Sequence, residues 1–259
     1  MSEYNTNPAG RYGTTVARTG VAIDEGLRAY MLRVYNYMAL GLAITGAAAL
    51  GIYILSVTTD PAAAVATYRG IRLTALGAFL FSGWFQWVVI LAPLAFVLVL
   101  SFGIQRLSVG AAQALFWIYA ALVGVSFAVL LMVYSGQSVA RTFFITAAAF
   151  GALSLYGYAT KRDLSGFGSF LIMGLFGIII ASVVNIFLAS TMMQFIISVV
   201  GVLVFAGLTA YDTQRIKEMY FEGDEELVAG RKAVMGALSL YLDFINLFLM
   251  LLQLFGRRD

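Results

Sequence analysis

Over most of this chain the hydrophobic positions neither alternate, as in a half-buried strand, nor keep to one helical face. They run on for about twenty residues at a time, and the short polar stretches between hold nearly all the charges. A helix needs roughly 20 mostly apolar residues to cross the hydrocarbon core of a bilayer. Runs of that kind predict spans over residues 34–56, 84–102, 111–134, 142–160, 166–187, 192–211 and 233–255. The apolar stretch 71–81 reads either as an interfacial helix or as the beginning of a longer second span. The expected fold is an all-α membrane protein with seven transmembrane helices in one domain, 31–259. A flexible cytoplasmic segment, 1–30, precedes it, and 22–33 reads as a short helix entering the membrane. Residues 213–232 read as the longest internal loop, helical at first and then acidic at Glu222, Asp224, Glu225 and Glu226.

The seventh run departs from the others. Ser239, Asp243, Asn246, Met250 and Gln253 recur at helical spacing and share one face, and nearly every other position there is Leu, Ile, Phe or Ala. A polar stripe is held away from lipid, against other helices or a water path, so the seventh helix is expected in the interior of the bundle.

Composition agrees with a lipid solvent. The chain is 61% hydrophobic and 11% charged, with a mean hydropathy of +0.90. A soluble fold of this length could not hide so much apolar surface. There is no Cys and no His. Thiolate chemistry is therefore excluded and a zinc site is not expected. Any pH sensing falls to carboxylates. The net charge of +3 is spread over loops without a basic run, so no nucleic-acid partner is expected. No cleavable signal peptide is recognised, and the first apolar run is expected to act as an uncleaved anchor. Eleven Lys and Arg, among them Arg33, Arg106, Lys161, Arg215 and Lys232, fall on the side of the N-terminus, against five on the other. That bias predicts a cytoplasmic N-terminus and, with seven spans, an external C-terminus.

The candidate chemistry lies in polar groups within apolar spans. A carboxylate near the middle of a bilayer costs at least a few kcal/mol and reads as functional by default, which singles out Asp243. Asp212 closes the sixth predicted span, where a charge at the headgroup level is also ordinary. With a rise of about 1.5 Å per residue, Asp212 lies roughly 30 Å from the start of its span and Asp243 roughly 15 Å from the start of its own. The two therefore meet only if span six begins further out or span seven begins deeper. If they meet, two carboxylates about 3 Å apart share a proton rather than both ionising. The same oxygens suit Ca²⁺. An arginine could pair with one carboxylate and open the dyad, and Arg106 at the end of span two is best placed. Asn185, Gln113 and Ser126 read as path-lining or helix-bridging groups, and Gly41, Gly51, Gly174 and Gly177 as close-packing positions.

Three stretches resemble the Bax inhibitor family of membrane proteins in its bacterial branch: Gly157-Tyr-Ala-Thr-Lys-Arg-Asp-Leu-Ser-Gly-Phe-Gly-Ser169, Ala210-Tyr-Asp-Thr-Gln-Arg-Ile-Lys217 and Ala237-Leu-Ser-Leu-Tyr-Leu-Asp-Phe-Ile-Asn-Leu-Phe248. The resemblance covers roughly residues 30–256. It implies seven helices with the last one central, in a bacterial inner membrane. It also implies a pH-sensitive calcium leak pathway whose sensor is a carboxylate pair on helices six and seven, here Asp212 and Asp243. An arginine near the end of helix two, here Arg106, is implicated in opening. Calcium and protons are thus the implied partners besides the bilayer, with no cofactor. Some bacterial members instead bind and modulate a membrane-anchored AAA protease, which is the alternative reading. An aspartyl intramembrane protease would need a second, glycine-bearing motif that is missing, so the protein is not expected to be an enzyme.

Overall fold

The computed structural model of the chain describes residues 9–103 and 107–257, with side chains from residue 25 onward except at 101 and 102. Helix α1 spans Ala9–Ser56, so the entry helix expected at 22–33 is continuous with the first span. A 3-10 turn at Pro61–Ala63 leads to β1 (Ala66–Tyr68) and β2 (Ile71–Leu73), an antiparallel pair with Tyr68 opposite Ile71. The reversal falls on Arg69 and Gly70, both at positive φ (50° and 86°), the backbone twist that two-residue hairpin loops require. Helix α2 (Ala75–Phe81) follows and breaks from α3 (Phe85–Gly103) with a 62° bend. Gly83 lies in that break at φ 75°. The stretch 71–81 is therefore a three-residue strand followed by a seven-residue helix, and the hairpin was not expected from the apolar pattern.

The remaining helices are α4 (Val109–Val133), α5 (Gly136–Ala159), α6 (Ser165–Leu188), α7 (Thr191–Glu218) and α8 (Glu226–Phe255). Thr74, Ser108 and Ser190 each accept a hydrogen bond from the backbone N–H three residues on. These hydroxyls satisfy orphan donors and set where α2, α4 and α7 start. The internal loop expected at 213–232 shrinks to residues 219–225. Both flanking helices run past their apolar segments, and Lys232 closes the turn by donating to Met219 O (2.9 Å) and pairing with Asp224 (2.5 Å).

Six helices are long and apolar enough to cross a membrane: α1 from Glu25, α4, α5, α6, α7 and α8. The bent pair α2–α3 makes a seventh if it counts as one span. Within the apolar windows of the six, 61% of α8 is buried, against 17–39% of the others. Helix α8 packs against α1, α4, α5 and α7. Lipid provides no hydrophobic drive between helices, so close backbone approach through small residues does much of the packing. Gly41 lies against Phe116 and Tyr241, Gly157 against the carbonyl of Ala210, and Gly174 against Val204. Gly51 and Gly177 face open space, so the close-packing reading fails for those two: their side of the helix meets no neighbour.

Candidate functional site

Asp212 closes the apolar run but not the helix, which continues as expected at the start of the following stretch. Helix α7 runs on to Glu218, which leaves Asp212 roughly 9 Å inside the helix end. Across the α7–α8 contact, Ile216 packs on Gly236 and Met250 on Gly201. This antiparallel register sets Asp212 opposite about residue 240, roughly 5 Å along the axis from Asp243. The depth mismatch of the two aspartates is thereby removed, and their carboxyl groups come within hydrogen-bonding reach of each other.

Asp243 is 5% exposed and Asp212 half-buried. No N–H or hydroxyl donor reaches Oδ2 of Asp243 among the described residues. Polar groups at the same level are committed to their own helices. Thr209 donates to Phe205 O (2.8 Å) and Asn246 to Leu242 O (2.8 Å). What Asp243 has is the carboxyl of Asp212. Two ionised carboxylates are acceptors only, so this contact is a hydrogen bond only when one of them carries a proton. A bare charge at this burial would cost several kcal/mol, and a shared proton removes one of the two charges.

The pair opens onto a cavity of about 640 Å³, walled by α6 and by Leu94 of α3 and also lined by Ser239, Asn246 and Met250. Three of the four other residues of the polar stripe thus line the space beside the dyad. Gln253 does not. It lies near the end of α8, where its Oε1 accepts from Gln194 (2.5 Å) and Ser198 (2.9 Å). Gln194 in turn accepts from Asn185 (3.3 Å), so Asn185 is a helix-bridging group. Ser126 likewise bridges α4 to α3 through Val89 O (2.6 Å). Arg106 lies outside the described residues. Among the described residues, the cation that faces the pair is Arg215, which lines the same cavity one turn after Asp212 and attracts its carboxylate. Sequence reasoning counted Arg215 only as a loop charge. The i, i+3 spacing from Asp212 was the signal that could have found it. Also missed was a hydroxyl chain behind α7, in which Tyr35 meets Ser154 (2.6 Å) and Ser154 meets Thr213 (2.9 Å).

Among the described residues no three acidic side chains are grouped so as to hold a metal ion. Ca²⁺ takes about 6–8 oxygen ligands, more than two carboxyl groups supply.

These features define a polytopic helical membrane protein with a carboxyl pair buried between two of its apolar helices. The chain belongs to the Bax inhibitor family: the family described as Inhibitor of apoptosis-promoting Bax1 matches residues 27–259. A protein of Rickettsia prowazekii is 46% identical over 244 residues, which is 94% of this chain and 96% of that one. Inner membrane protein YbhL of Escherichia coli is 44% identical over 235 residues, 90% of this chain and 93% of its own length.

Proposed function

We propose that this protein is a pH-sensitive, calcium-permeable leak channel gated by the Asp212–Asp243 pair. It resides in a bacterial inner membrane as a seven-span bundle, with α8 at the centre, the N-terminus cytoplasmic and the C-terminus outside. The observation that carries the reading is Asp243, deeply buried beside the carboxyl of Asp212, with no N–H or hydroxyl donor to its Oδ2 among the described residues. A scaffold gains nothing from such an arrangement, because an amide or an apolar side chain would fill the position without a desolvation penalty. With one proton the pair bonds α7 to α8 and keeps the path closed. Loss of that proton leaves two like charges that push the helices apart, and Arg215 or Arg106 then compensates the freed carboxylate. The stripe residues Ser239 and Asn246 offer oxygens to an ion moving past the pair.

The test is Ca²⁺ flux into liposomes holding the purified protein, from about pH 6 to 8. The wild type is expected to leak more as pH rises. Asp243→Asn, which donates permanently to Asp212, is expected to lose that dependence. If neither protein leaks at any pH, the channel reading fails and regulation of a membrane-anchored AAA protease becomes the reading to pursue.

A further inference from the structure

A second cavity, also of about 640 Å³, lies where the α4–α5 turn meets the end of α8. It is separate from the aspartate pair: Arg257 lies roughly 20 Å along the α8 direction from Asp243. Its lining includes Gln137, Ser138, Arg141 and Arg257 above and Ile145 and Phe255 below, with no carboxylate among the described residues. Neither arginine has a salt-bridge partner among those residues. Arg257 is nearly at the chain end, yet its backbone is pinned twice. Its N–H donates to Ser138 Oγ (2.9 Å) and its carbonyl accepts from Ser135 N–H (3.2 Å). That pinning sets two guanidinium groups from distant parts of the chain on one cavity. No side chain caps the start of α5, so the positive end of that helix adds to the same field.

We propose that this cavity binds the phosphate headgroup of an anionic phospholipid, with Arg141 and Arg257 as its two ligating residues. Arginine presents a planar fork that matches phosphate oxygens. The wall below the arginines is what distinguishes a lipid from a soluble anion. Phe255 is 67% exposed, and it and Ile145 offer apolar surface where acyl chains begin. Both arginines also fall on the side that the positive-inside bias leaves poor in cations, where two converging charges serve no topological purpose. A zwitterionic headgroup brings its own ammonium against the two guanidinium groups, so phosphatidylglycerol is favoured over phosphatidylcholine.

Native mass spectrometry of the full chain, released from detergent with added phosphatidylglycerol or phosphatidylcholine, tests this directly. The wild type is expected to retain phosphatidylglycerol selectively. Arg141→Gln with Arg257→Gln should retain it about tenfold more weakly, on the order of one lost charge-assisted contact. Arg141→Lys with Arg257→Lys keeps the charge without the fork and should fall between the two. A parallel thermal melt with inorganic phosphate alone should show no stabilisation. Equal retention of both lipids, or undiminished retention by the double Gln variant, overturns the proposal. Stabilisation by phosphate alone equal to that by the lipid overturns it in favour of a soluble-anion site.

Discussion

Two positions on one face of α8, ten residues apart, carry the same periodic signal and are built in opposite ways. Around Gln253 the donors and acceptors match: Gln194 and Ser198 donate to it, and Asn185 donates to Gln194. That cluster ties α6, α7 and α8 together and is complete at any pH near neutrality, because amides and hydroxyls carry their own protons. Around Asp243 the carboxyl partner is another acceptor, no N–H or hydroxyl donor reaches Oδ2 among the described residues, and Thr209 and Asn246 have turned to backbone carbonyls. A complete network glues helices together. A network short of one proton holds only while that proton is present, so its stability becomes a function of pH.

The largest expected effect follows from supplying that donor permanently. Asp243→Asn should abolish the pH dependence of Ca²⁺ flux while leaving the fold intact, since the amide can donate to Asp212 and fills the same volume. Thermal unfolding of the same variant separates the two effects. A variant that keeps a full pH response would show that the dyad is as structural as the Gln253 cluster, and the contrast between them would collapse.

The converse substitution should change stability and spare the pH response. Gln253→Leu removes the acceptor of Gln194 Nε2, while Ser198 keeps the Gln194 carbonyl (2.8 Å), at a cost of about 1 kcal/mol. A drop in melting temperature of a few degrees with an unaltered flux profile is the expected result. Loss of the pH response would mean that the cluster belongs to the gate.

Tyr241 offers a finer comparison, two residues from Asp243 and fully buried on the other side of α8. Its hydroxyl meets Thr45 Oγ1 (2.7 Å), and Phe116 and Tyr119 pack edge-on against its ring. Tyr241→Phe keeps the ring contacts and loses one bond, for about 1 kcal/mol of stability and no change in pH response. Chemical unfolding in mixed micelles reads the first, and the liposome assay the second.

How much of this was legible in sequence differs between fold and site. Long apolar runs predicted seven spans because lipid forces every backbone bond inside the helix, and six helices are long and apolar enough, with the bent α2–α3 pair a seventh if it counts as one. The hairpin at Ala66–Leu73 was hidden because three-residue strands leave no periodic trace. The polar stripe identified the right face of α8 and brought Ser239, Asp243 and Asn246 to one cavity, but nothing in the spacing separated Gln253 from them. Apolar runs end where charges begin, and α7 continues beyond that point to Glu218. That extra length carries Asp212 inward and brings Arg215 onto the cavity, so the pairing was legible only as a condition. Gly41 and Gly51 look alike in sequence, yet only Gly41 meets a neighbour, because a single helix does not encode which of its faces is lipid.

The smallest effect belongs to Asp163, which sharpens the comparison by holding the residue type constant. Asp163 is an exposed carboxylate just before α6 that accepts a hydrogen bond from the backbone N–H of Ser165 (2.8 Å). It is thus the donor-rich counterpart of Asp243. Hydrogen bonds from the Ser165 side chain and backbone hold its carboxyl below the ordinary aspartate value, with burial contributing almost nothing against them. A carboxylate whose folded value is depressed adds stability above its unfolded value and loses it as pH falls through the folded one. The pH dependence contributed by Asp163 is therefore confined to acidic pH, so Asp163→Asn should lower the melting temperature only slightly and by the same amount throughout about pH 6 to 8, and leave the flux profile unchanged. A side-chain carbon titration in labelled protein should place Asp163 below a model aspartate. A value at or above that of the free residue would mean that Ser165 does not hold the carboxylate in solution, and that a donor at hydrogen-bonding distance is not enough to separate the two aspartates.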